Sequence, residues 1–134
     1  MNKINIESKF FLVEGGCNAC GLLNCVTYTI NFPDGTQATS DQLDAVHLTQ
    51  AIALKNGWRE KVEPVGIGEE AVFLEKGKDA VQVSEDSFKT TFSKGAKKFP
   101  IKKEECSLKE VWDNTNALLT DFFGIPAYDF ELTE

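Results

Sequence analysis

Histidine is all but missing: His47 is the only one in 134 residues. Hydrolytic and acid–base chemistry near neutral pH usually draws on histidine or on paired carboxylates in a cleft. The adjacent acids Glu69-Glu70 and Glu104-Glu105 read more simply as solvated loop residues than as a catalytic dyad. Phosphate-cradling loops are also missing. Gly66-Ile67-Gly68 lacks the third glycine and the following helix of a dinucleotide fingerprint, and no Walker lysine motif exists. There is no run of eighteen apolar residues, which excludes a spanning helix. The N-terminal Met1-Asn2-Lys3-Ile4-Asn5-Ile6-Glu7-Ser8-Lys9 alternates in polarity and has no apolar core, so it is not a secretory signal. A cytoplasmic protein with reduced thiols is the expectation.

Cysteine is scarce but unevenly placed. Cys17, Cys20 and Cys25 lie within nine residues, in Gly15-Gly16-Cys17-Asn18-Ala19-Cys20-Gly21-Leu22-Leu23-Asn24-Cys25, and Cys106 stands far off. Three local thiolates with Cys106 or His47 as a fourth ligand would suit zinc, but structural zinc sites normally draw on two local pairs, and the second pair is lacking. The C-x2-C-x4-C order reverses the plant-type iron–sulfur spacing. Thiol–disulfide exchange wants a helix after the first cysteine, where the dipole lowers the thiol pKa, and here a β-branched strand follows instead. The plainer reading makes these cysteines small hydrophobes in and near a glycine-rich turn, with no cofactor; zinc is the alternative.

What is present is acid and apolar bulk. The net charge is −7, with 42% hydrophobic residues, ten Phe and two Trp, enough for a core without disulfides. An acidic surface repels nucleic acid and anionic membranes at long range, so neither is expected as a direct partner. The charge is asymmetric. From Lys89 to Lys103 there are six lysines and no acid, leaving eight basic residues against 21 acidic ones elsewhere. A solvated loop is the simple explanation. An anion-binding patch of Lys97, Lys98, Lys102 and Lys103, with Phe88, Phe92 and Phe99 interleaved, is the sharper one. It contains no arginine, the better residue for bidentate phosphate contacts.

Alternating polarity predicts strands at residues 4–12, 26–32 and 128–132. Ala71-Val72-Phe73-Leu74 and Ala80-Val81-Gln82-Val83 flank Lys76-Gly77-Lys78-Asp79, a hairpin signal. Thr39-Ser40-Asp41-Gln42 reads as a capping box opening a helix to about Asn56, in which His47 falls between Leu43 and Leu54 as a partly buried, hydrogen-bonded core residue. Ser84-Glu85-Asp86-Ser87 opens a short helix to Gly95, and a connector runs to 105. Ser107-Leu108-Lys109-Glu110 caps a strongly amphipathic helix ended by Gly124. The fold class is α+β: one domain over 1–134, a mostly antiparallel sheet, and the helices at 40–56 and 107–123 packed on one face.

The stretch Ala71-Val72-Phe73-Leu74 followed by Ala80-Val81-Gln82-Val83-Ser84-Glu85-Asp86-Ser87-Phe88-Lys89-Thr90-Thr91-Phe92 resembles a recurrent piece of small phage proteins. There a hairpin leads into a V-S-E-x-x-F-x-x-x-aromatic helix. The resemblance implies a small phage-encoded accessory or early protein and carries over no catalytic residue. Together these features lead to a small acidic, non-enzymatic interaction protein that binds or inhibits a protein partner by charge complementarity. A metal or thiol protein using the cysteine loop, and a binder of small anionic ligands, are the alternatives.

Overall fold

The computed structural model describes residues 2–14, 22–104 and 107–133. Nine strands and two helices make an α+β fold, and the strands form two mostly antiparallel sheets. The chain divides into two compact units, Met1–Leu43 with Tyr128–Glu134, and Asp44–Ala127.

The first unit is a four-stranded sheet. β1 (Lys3–Glu14) and β2 (Leu22–Asn31) form a long hairpin in which Ile6 faces Ile30 and Phe10 faces Val26. β3 (Gln37–Ser40) adds to β2, and β9 (Asp129–Thr133) runs parallel to β1 on its other side. Period-two alternation does what the sequence predicts near the base of the hairpin, where Ile4, Ile6 and Ile30 are fully buried. Further along the same face burial ends, and Phe10 is 72% exposed. The opposite face carries a polar ladder: Asn5 donates to Thr133 at 2.9 Å, Gln37 donates to Asn31 at 2.6 Å, and Lys3 pairs with Glu131 at 2.6 Å.

The second unit is built around a five-stranded antiparallel meander: β4 (Arg59–Gly66), β5 (Glu69–Lys76), β6 (Asp79–Glu85), β7 (Lys89–Lys94) and β8 (Lys97–Lys102). Two of its hairpins close with two-residue loops in which glycine takes the first central position, Gly77 and Gly95, each at φ 60°. A side chain there would be strained, and the geometry matches the twist of the flanking strands. Helix α1 (Ala45–Lys55) precedes the meander and α2 (Leu108–Phe122) follows it, and the two pack on one another. The amphipathic reading of α2 holds: Val111, Thr115, Leu118, Leu119 and Phe122 are buried. Its end is fastened by ring contacts. Phe123 meets Trp58 at 4.8 Å and Phe92 at 6.2 Å, and Phe122 meets Phe99 at 6.3 Å, all edge-on.

Three sequence expectations need correction. Thr39 does not cap α1. Residues 37–40 pair with 28–31 instead, so their backbone is spent in a sheet, and the Asp44 carboxylate caps the helix by accepting from the His47 amide at 2.8 Å. Residues 84–94 form no helix. They are the end of β6, a turn and β7, because Asp86 closes the turn while Thr90, Thr91 and Phe92 suit a strand with a core face. Only the hairpin half of the phage-like segment is therefore present. The supposed connector before residue 105 is largely β8.

Both observed caps are exposed single side chains. Asp44→Ala and Ser107→Ala should each cost about 1 kcal/mol in urea denaturation. Thr39→Ala, at the cap that sequence alone suggests, should stay within about 0.5 kcal/mol.

Candidate functional site

The meander has one face turned to the core and one to solvent. Buried Thr90, Phe92 and Ile101, with Phe99 against Phe122, mark the core side of β7 and β8. Alternation then places Lys89, Thr91, Ser93, Lys98, Pro100 and Lys102 on the open side. The register makes rows across this face. One row runs Lys61, Phe73, Gln82, Ser93, Lys98 over all five strands.

The two ends of that face differ in electrostatics. At the β4 end Lys61 is neutralised by Glu63 at 2.6 Å and Glu75 at 3.8 Å, and the hydrogen bond it donates to the Glu63 carboxylate pushes its pKa up. At the β8 end Lys89 stands directly across from Lys102, with Cβ atoms about 5 Å apart by strand geometry. Among the described residues no carboxylate lies within 4.0 Å of the ammonium groups of Lys89, Lys98 or Lys102. Like charges directly opposed destabilise a sheet.

The turn between β6 and β7 sits beside this pair. The Asp86 carboxylate accepts from the amides of Phe88 at 2.7 Å and Lys89 at 2.9 Å. Those two bonds, helped by the nearby charges of Lys89 and Lys103, hold its pKa below the usual carboxylate range. The turn is tied at both ends, by the Asp86 amide donating to the Lys89 carbonyl and the Lys103 amide donating to the Phe88 carbonyl. Phe88 is left 81% exposed on a braced loop. An open depression of about 400 Å³ lies there, lined by Ser87, Phe88, Lys89, Lys102, Lys103 and Glu104. Lys103 is engaged by the Glu85 carboxylate.

The four lysines singled out by sequence do not form one site. Lys98 and Lys102 share the open face about 13 Å apart along β8. Lys97 falls on the other side of the strand by alternation, and Lys103 is held by Glu85. The residue that reasoning missed is Lys89. The hairpin register about Gly95-Ala96, countable from sequence once residues 97–102 are read as a strand, brings it opposite Lys102. Cys17, Cys20 and Cys106 lie outside the described residues. Cys25 is a half-buried free thiol on the polar side of β2, and among the described residues no three His, Cys, Asp or Glu side chains gather to hold a metal. His47 is not a core residue: its ring is exposed, with Nδ1 2.9 Å from the Asp44 carboxylate that caps its own helix.

Two consequences are measurable. Lys102→Gln should relieve the repulsion from Lys89 and raise stability by roughly 0.5 kcal/mol at low salt, with the gain shrinking as salt is added. The folded pKa of Asp86 lies below its unfolded value of about 3.9, so the turn is fully stabilised above that pH and loses its anchor as pH falls through the folded pKa. A carboxyl NMR titration should find a depressed midpoint, and Asp86→Ala should speed hydrogen exchange at the Phe88 and Lys89 amides.

No curated protein and no solved structure matches the chain. A family model does match, over residues 1–132, and the chain accordingly belongs to the family described as "Domain of unknown function (DUF4809)".

Proposed function

We propose that this chain is a non-enzymatic interaction protein, and that it meets its partner through the lysine face of β7 and β8. The observation that carries the reading is the contrast within one sheet face. Lys61 is matched by two glutamates, whereas among the described residues no carboxylate lies within 4.0 Å of Lys89, Lys98 or Lys102, and two of these lysines are opposed. A fold under no other demand would disperse or pair those charges, as it does around Lys61. Leaving them open costs stability in the free protein and gives an anionic partner somewhere to bind.

The partner that fits is an acidic segment of a protein. The patch is short, and the rest of the chain has 21 acidic residues against eight basic ones, so an extended phosphodiester backbone would be repelled beyond it. The β7–β8 part of the face also lacks arginine for bidentate contacts. Hydroxyls of Thr91 and Ser93 lie among the lysines and supply neutral hydrogen-bond donors.

The test uses a fluorescent peptide rich in Asp and Glu. Binding should weaken steeply as salt rises from 20 to 300 mM, in roughly log–log fashion. The triple variant K89Q/K98Q/K102Q should lose at least tenfold in affinity. Lys109→Gln, at an exposed α2 lysine paired with Asp113, should leave binding unchanged. Salt-independent binding, or equal loss from both variants, would refute the assignment.

A further inference from the structure

We infer that the partner segment presents a phosphomonoester, seated between Lys89 and Lys102 with an adjacent apolar side chain against Phe88. The inference rests on the binding face just proposed and names what that face selects.

Charge concentrated at one point selects the ligand. Two ammonium groups that start from directly opposed positions can converge on one ligand atom group. A carboxylate brings a single negative charge and leaves the lysine pair with a net positive one. A phosphomonoester carries close to two negative charges at neutral pH and three acceptor oxygens, so it satisfies both ammonium groups at once. Lysine suits this use, because it binds phosphate as a mobile point charge and does not need the planar fork of arginine.

The nearby acids do not take that role. Asp86 spends its carboxylate on the Phe88 and Lys89 amides. Glu85 is turned to Lys103. Glu104 lines the rim of the depression and is not one of its positive charges. The same depression is walled by Phe88, which the braced turn holds out of the core. An exposed phenylalanine held in place on a closed turn gives an apolar contact at small entropic cost. The volume of about 400 Å³ accommodates a phosphorylated side chain and one neighbour. Lys98 lies about 13 Å further along β8 and takes no part in this seat.

Three otherwise identical acidic peptides decide the matter, with phosphoserine, glutamate or serine at the central position and leucine next to it. At pH 7.5 the phosphoserine peptide should bind at least tenfold more tightly than the glutamate peptide. Lys89→Gln and Lys102→Gln should each abolish that preference. Lys98→Gln should weaken the phosphoserine and glutamate peptides by the same factor and keep the preference. Phe88→Ala should weaken the phosphoserine peptide with leucine and leave a version with glycine in that position unaffected. Equal affinity for phosphoserine and glutamate, with binding still lost in K89Q/K98Q/K102Q, would overturn the phosphate seat and leave the acidic-segment reading standing. Absence of binding by all three peptides would overturn both. Phosphoserine as the free amino acid, binding as tightly as the peptide, would reassign the seat to a small phosphorylated molecule and overturn the partner-segment inference.

Discussion

Phe92 opposite Phe99, fastened under Phe122 and Phe123, is the constraint on which the rest of the second unit depends. A strand has only two faces. Once these rings are inward, Lys89, Lys98 and Lys102 have no choice but to face out, and a one-residue slip would bury them. Truncating a buried phenylalanine typically costs about 3–5 kcal/mol, several times the repulsion between two opposed lysines. The aromatic cluster therefore overrules the electrostatics and holds an unfavourable charge arrangement in place. A surface that would otherwise rearrange is presented ready-made.

The sheet shows both solutions to a surface lysine. On β4 the chain supplies its own counter-charges and the residue becomes part of a saturated network with Glu63 and Glu75. On β7 and β8 the local acids are diverted. Asp86 serves the turn, Glu85 holds Lys103, and Asp79 and the Phe122 carbonyl share Lys94. The lysines of the open face are what remains after the fold's own needs have been met.

Much of this was readable from residues alone, and the failures have physical causes. The α+β class, the 76–79 hairpin and the Ser107 cap follow from signals acting over four or five positions. Thr39 failed as a cap because pairing with β2, which is not local, claimed its backbone first. Residues 84–94 failed because serine and acids open helices and close Asx turns alike, and only the pairing partner decides. The lysine run was visible as composition, but its meaning lay in parity. Reading 95–105 as a connector hid the register that opposes Lys102 to Lys89, and with it the difference between four neighbours in sequence and two neighbours in space.

The parallel pairing of β9 with β1 has a bearing on biosynthesis. A ribosome makes Ile4 and Ile6 more than a hundred residues before the Phe130 and Leu132 that lie beside them. The contacts within the continuous stretch 44–127 need no residue of β9, whereas the outer strand of the four-stranded sheet cannot pair with β1 until residues 129–133 have been made. Until then the flank of β1 is an uncovered edge, so this half of the molecule is the one most in need of protection from aggregation during synthesis.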